Sequence, residues 1–173
     1  MFAVMAGLLF AIPWASAVAA VIGGDPAPQP ALWHELHTLA GMAMALSLVE
    51  LRARYRGWFT PPGRIVLSLA VASAAAFTLA NAGEVLGLGE VFVPLYGVSL
   101  LALSAALIAV AVTTPTLPRP VPFLLVLAGI AFPAALPLAV IPPPAGQVAV
   151  AVALLAYGLL WAALGFVQLS RTP

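Results

Sequence analysis

Cysteine and lysine are both missing from this chain of 173 residues, and charge of either sign is scarce. Without cysteine there is no disulfide, no thiolate metal ligand and no thiol redox chemistry. Without lysine there is no Schiff base for a retinal cofactor. Only 6% of the residues are charged, whereas an average soluble domain carries about 25%. The composition therefore excludes an ordinary water-soluble fold, and the net charge of +1 gives no indication of a nucleic-acid partner.

The residue sets of the common membrane-embedded enzymes are also absent. Asp25 is the only aspartate, whereas an intramembrane aspartyl protease needs two. The segment 97–100 does not match the Gly-x-Ser-Gly of intramembrane serine proteases. The zinc-protease helix His-Glu-x-x-His fails as well, because Thr38 stands where the second histidine is required. We therefore expect a non-catalytic protein and rank a membrane-embedded enzyme third among the possible functions.

Long uncharged runs dominate what is present, with 64% of the residues hydrophobic. Runs of 18 or more such residues are long enough to cross a hydrocarbon core of roughly 30 Å. They predict an all-α fold: a polytopic membrane protein forming a six-transmembrane-helix bundle with short loops, as one domain over residues 1–173. We expect the first helix to be retained, because no positive residue precedes it as a signal peptide requires. The predicted spans are 2–22, 31–51, 64–82, 91–112, 121–141 and 147–169, with a kink at Pro133 and Pro137.

The arginines predict how such a bundle lies in the cell membrane. With six spans, all six arginines fall on one face, and four of the five carboxylates fall toward the other. The positive-inside rule makes the arginine face cytoplasmic and places both termini there. Within this face, we interpret Arg52, Arg54, Arg56, Trp58 and Arg64 as an interfacial anchor to anionic lipid. A local ion pair of Glu50 with Arg52 or Arg54 is expected beside it.

Both histidines lie near the start of the second predicted helix. His34 and His37 are three residues apart and therefore share a helix face, with Glu35 beside them. This pattern fits a metal site or a proton relay. It also fits two imidazoles that hydrogen-bond water or main chain in the outer headgroup zone. We expect His37 to face a neighbouring helix and Glu35 to face lipid headgroups or a partner chain.

A second polar patch is formed by Asn81 and Glu84 near the end of the third helix. At about 1.5 Å of rise per residue, Asn81 lies at the depth of the histidines, so the two patches are expected to meet. An asparagine here has a simpler role as well, which is to hydrogen-bond a neighbouring main chain. The candidate site is thus His34, Glu35, His37, Asn81 and Glu84.

The sequence leaves two functions open. The first is a small membrane protein whose outer-face polar site binds or conducts a proton, a metal ion or a small ligand. The second is an accessory subunit that packs against a larger membrane complex. The lipid bilayer is the one partner that the composition predicts, with a homo-oligomer or a larger complex as further possibilities. The sequence identifies no cofactor. Haem held by two histidines of this chain is disfavoured, because both imidazoles share one helix face. Haem with a single histidine ligand, or haem shared with a partner chain, stays open.

Overall fold

A computed structural model describes residues 1–23 and 30–170 of the chain. The all-α prediction is confirmed for these residues, which form six α-helices and one short 3-10 helix, Leu136–Val140. Asp25 and Arg171, which the sequence analysis placed on opposite faces, lie outside the described residues. The helices are α1 (Phe2–Gly23), α2 (Pro30–Arg54), α3 (Pro61–Val85), α4 (Gly89–Thr113), α5 (Val121–Ala135) and α6 (Ala145–Ser170).

Five of the described helices are long and apolar enough to cross a membrane, as expected of a multi-pass membrane protein. They are α1, α3, α5 with its 3-10 extension, α6, and α4 from Pro94 onward. Helix α2 is not among them, although its 25 residues equal the length of α3 and α4. Its charged and imidazole side chains are confined to its two ends, and between them residues 38–49 carry no charge.

Two helix ends differ from the approximate bounds predicted from the sequence, both because of proline. Pro61 and Pro62 were predicted to lie in a loop, but they begin α3, where a missing N–H costs no hydrogen bond. Thr60 caps this start by accepting a hydrogen bond from Gly63 N at 3.1 Å. The predicted fifth span ran to residue 141 but ends as an α-helix at Ala135. Pro137, one turn beyond Pro133, has no N–H for an α-helical bond, and the chain tightens into the 3-10 helix.

The helices form a ring in chain order. Each helix packs on its neighbours in sequence, and α1 packs on α6 to close the ring. Small residues permit this closure, because a Cβ atom on Gly7 would lie 2.3 Å from Ala162 N and 2.4 Å from Gly158 O. Gly165 faces α1 in the same way, where a Cβ atom would lie 2.4 Å from Val4 N. Close backbone approach of this kind is the usual way in which membrane helices associate.

The arginines of the described residues lie at one end of the ring, which we call the arginine end. Here Arg54 forms an ion pair with Glu50 at 3.7 Å, as predicted, and also donates to the carbonyl oxygen of Gln168. The first residue joins the same cluster, since the Met1 amino group lies 3.3 Å from Glu50. Two further hydrogen bonds tie the α2–α3 and α4–α5 loops together at this end: Thr60 donates to Thr113 O at 2.7 Å, and Thr116 donates to Trp58 O at 2.8 Å.

Candidate functional site

Helix α2 has three faces with different surroundings. The first points into the ring and carries buried side chains, among them His37 and Met44. The second approaches α3 at Gly41. The third is exposed on the outside of the ring, where lipid would lie, and includes Glu35. Apolar side chains continue this exposed face, namely Leu39, Met42, Leu46 and Val49.

His37 lies inside the ring among aromatic side chains. It is 2% exposed, so the prediction that it faces neighbouring helices is confirmed, as is the outward position of Glu35. Five rings from four helices surround the imidazole. The distances from its centroid are 4.8 Å to Phe10, 5.9 Å to Trp14, 6.4 Å to Trp33, 6.3 Å to Phe77 and 6.4 Å to Tyr96.

The hydrogen bonding of His37 leaves one ring nitrogen without a partner. The imidazole hydrogen-bonds the main chain of Trp33, one turn earlier. Nε2 is buried and has no partner among the described residues, so Nδ1 makes this bond. A proton on Nδ1 leaves the neutral ring with an acceptor lone pair on Nε2. His37 therefore presents a hydrogen-bond acceptor to an otherwise aromatic interior.

His34 faces α3 and meets the second polar patch. Its Nδ1 lies 3.3 Å from Oδ1 of Asn81, which is itself fully buried. Asn81 also donates from Nδ2 to Phe77 O at 2.8 Å. The helices come this close because Gly41 has no side chain; a Cβ atom there would lie 2.5 Å from Thr78 Oγ1. The two predicted patches thus meet through one side-chain pair.

The two carboxylates of the candidate site lie apart from this pair. Among the described side chains, neither Glu35 nor Glu84 forms an ion pair with a histidine. Glu35 lines a shallow groove of about 390 Å³ between α2 and α3 on the outside of the ring. Glu84 is half-buried, and its Oε1 has no partner in the described part of the chain. No three described histidine, aspartate or glutamate side chains come together as a metal site would require.

A cavity of about 720 Å³ lies beside His37, at the end of the ring opposite the arginines. It is bounded by α1, the start of α2, the chain around the 3-10 helix, and the start of α6. Trp14 and Trp33 form part of its wall, with their rings edge to face at 4.9 Å. The other lining residues include Ala17, Ala139, Ile141, Gln147 and Val150. Among the described residues, no charged side chain lines it.

The tryptophans belong both to this cavity wall and to the surroundings of His37. The Nε1 atoms of Trp14 and Trp33 are buried and lack hydrogen-bond partners among the described residues. These nitrogens are inaccessible to water although the rings that carry them line the cavity. The two indoles, which we call the partition, thus line the cavity and also pack against His37.

The comparisons with known proteins add no relative to this description. The chain matches no protein family, no curated protein and no solved structure. Functional inference therefore depends on the geometry of the chain itself.

The aromatic surroundings of His37 and the cavity were not predicted from the sequence. No role was assigned there to Phe10, Trp14 or Trp33. One signal was available: Phe10 and Trp14 on α1, like Trp33 and His37 on α2, are four residues apart, which places each pair on one helix face. In the segment predicted to be an interfacial anchor, the side chain of Trp58 is half-exposed. The neighbouring Tyr55 is instead buried in the core.

Proposed function

We propose that this protein binds a small neutral, largely apolar ligand in the cavity between α1, α2, the 3-10 helix and α6. The observation that carries the proposal is the cavity itself. Its volume of about 720 Å³ lies within the range of small-molecule sites, about 300–1,000 Å³. Such sites are lined mainly by apolar and aromatic groups with a few polar ones. The wall of two indoles, aliphatic side chains and one glutamine amide fits that description.

The lining also narrows the chemistry of the ligand. A charged ligand buried without a counter-charge pays a large desolvation cost, and the described residues that line this cavity include no charged side chain. A neutral amphiphile would keep its polar part toward the tryptophans or Gln147 and bury its apolar part against the alanines and Val150. Of the three ligand types left open by the sequence, a small neutral molecule is thus the one that this lining favours.

The proposal includes the arrangement in the membrane. We infer that α2 is the sixth span, because it packs between α1 and α3 and has the same length as α3. The arginine end would then be cytoplasmic by the positive-inside rule, with both termini on that side. The cavity would open toward the outer headgroup zone of the cell membrane. The lipid bilayer is its immediate partner in this arrangement, and membrane lipids are one possible source of the ligand.

Single cysteines in this naturally cysteine-free chain test the orientation. Ala139→Cys lies in the cavity wall, and Gly57→Cys is exposed in the α2–α3 loop at the arginine end. We expect a membrane-impermeant maleimide to label Ala139→Cys on intact cells and to label Gly57→Cys only after lysis. The reverse pattern would invert the topology and place the cavity on the cytoplasmic side.

The same cysteine tests ligand binding. Octylbenzene, a neutral apolar probe, is expected to slow labelling of Ala139→Cys at least severalfold in lipid nanodiscs. Leu88→Cys is the matched control, because it is exposed at the same end of the ring and does not line the cavity. Equal labelling rates with and without the probe at Ala139→Cys would contradict the ligand site and favour the alternative, an accessory subunit.

A further inference from the structure

Buried polar atoms beside the cavity indicate which hydrogen-bonding groups the ligand should have. Three such atoms belong to rings that pack together: the acceptor Nε2 of His37 and the donor N–H groups of Trp14 and Trp33, whose ring centroids lie 5.9 and 6.4 Å from that of the imidazole. All three are buried and have no partner among the described residues. A buried polar group left without a partner costs about 1–3 kcal/mol. A ligand that satisfied these atoms would therefore gain affinity from groups that the fold already presents.

The three atoms require both a donor and an acceptor. His37 Nε2 accepts, since the bond to the Trp33 main chain keeps the proton on Nδ1. The two indoles can only donate. A hydroxyl group does both at once: its hydrogen bonds to Nε2 while its oxygen accepts from an indole N–H. A ketone, an ether or an ester offers acceptors alone and leaves His37 unpaired.

Access to His37 from the cavity involves the two indoles, because both line the cavity and pack against the imidazole. The two indoles are the partition, and both are only partly buried. Rotation of one indole about its side-chain torsions opens a way from the cavity to the imidazole, and rotamer changes of this size are common on ligand binding. The aromatic rings behind the partition, Phe10 and Phe77, provide flat apolar surfaces on which a ring can pack.

We propose that the ligand is a neutral amphiphile with a hydroxyl-bearing head group of the phenol type and an apolar tail. The hydroxyl lies between His37 Nε2 and the indole N–H groups, and the tail occupies the cavity between α1 and α6. This inference rests on the proposed ligand site and specifies its chemistry.

Three matched probes separate the two levels of the proposal. 4-Octylphenol carries the hydroxyl, 4-octylanisole replaces its hydrogen with a methyl group, and octylbenzene has no oxygen. Binding of each tritiated probe is measured by equilibrium dialysis against the protein in nanodiscs, with empty nanodiscs subtracted. We expect octylphenol to bind about tenfold more tightly than octylanisole, which is the effect of one net hydrogen bond. Octylbenzene is expected to bind no better than octylanisole.

Binding to substitution variants tests whether His37 and the two indoles cause the preference for octylphenol over octylanisole. His37→Phe keeps an aromatic ring and removes the acceptor, so the phenol-to-anisole ratio should fall to about one. Trp14→Phe and Trp33→Phe should each weaken octylphenol and octylanisole alike relative to octylbenzene, because both oxygens can accept from an indole N–H. His34→Phe and Trp161→Phe are the controls, because they remove an imidazole and a buried indole that do not line the cavity. Both controls should preserve the ratio.

Each outcome decides between the proposals. Equal affinity of the wild type for all three probes, or tighter binding of octylanisole, overturns the hydroxyl inference and leaves the cavity as an apolar ligand site. Failure of every probe to bind overturns the proposed function itself. An unchanged ratio in His37→Phe contradicts the assignment to His37. The comparison of probes on the wild type stands even if a variant fails to fold.

Discussion

The two histidines of helix α2 are three residues apart, yet their surroundings differ in nearly every respect. His34 is half-buried and pairs with the amide of Asn81 across a close contact with α3. His37 lies in the ring interior, is enclosed by five aromatic rings, and has no partner for Nε2 among the described residues. The first histidine contributes to helix packing, and the second lies beside a cavity with an acceptor that the described side chains do not use. Two positions three residues apart on one helix therefore differ in their surroundings, because one is directed at α3 and the other into the ring.

Substitution at the contact between α2 and α3 should cause the largest loss of stability. Gly41→Leu would place a side chain 2.5 Å from Thr78 Oγ1 and 3.2 Å from Thr78 Cα. Because the second of these is backbone, the helices must separate, and we expect a loss of more than about 3 kcal/mol in stability, beyond the usual cost of overpacking. Thermal unfolding in detergent measures it. Gly57→Leu is the control, since nothing lies within 4 Å of a Cβ atom there; equal losses in both variants would contradict the close contact.

His37 should separate the effects of ring volume and polarity. His37→Ala removes a ring that contacts five others and leaves a cavity in the interior, so a loss of about 3 kcal/mol is expected, as for a buried aromatic side chain. His37→Phe keeps the volume and removes both the unpaired Nε2 and the Nδ1 bond to the Trp33 main chain, so its stability should lie within about 1 kcal/mol of that of the wild type. Chemical denaturation in a fixed detergent compares the two. A large loss in His37→Phe would mean that Nε2 has a stabilising partner.

The pair on the α3 side should show a smaller, coupled effect. Asn81→Ala removes a buried amide that bonds both His34 and the Phe77 carbonyl, and we expect a loss of about 1–2 kcal/mol. A double-mutant cycle with His34→Ala should give a coupling of about 0.5–1 kcal/mol. Additive losses would show that the 3.3 Å contact between His34 and Asn81 contributes nothing to stability.

Glu35 should show the smallest effect. Its side chain is exposed on the outer face of α2 and makes no ion pair among the described residues. Glu35→Gln should therefore change stability by less than about 0.5 kcal/mol and leave probe binding unchanged. A change in oligomeric state, measured by native mass spectrometry, would instead assign Glu35 to a protein interface, as the partner-chain alternative predicts.

Part of the candidate site could be predicted from the residue spacing in α2. The spacing of His34, Glu35 and His37 predicted correctly that the histidines point inward and the carboxylate outward, since that follows from helix geometry alone. Depth counting along α3 also brought Asn81 level with His34. It did not predict that Glu84 would form no ion pair with either imidazole, because the spacing along one helix does not specify how a side chain is directed toward another.

The sequence by itself determined that this chain is helical and apolar enough for a membrane. It also determined the positions of most helices along the chain and the helix ends that carry the arginines. These properties depend on hydropathy, on proline and on helical period, all of which are local. Only the tertiary structure decided that α1 closes the ring against α6, which places Phe10 and Trp14 beside His37 and the 3-10 helix beside the cavity. Closure depends on the fit of Gly7 against Gly158 and Ala162, residues some 150 positions apart in the chain, and no pattern within either helix specifies its partner.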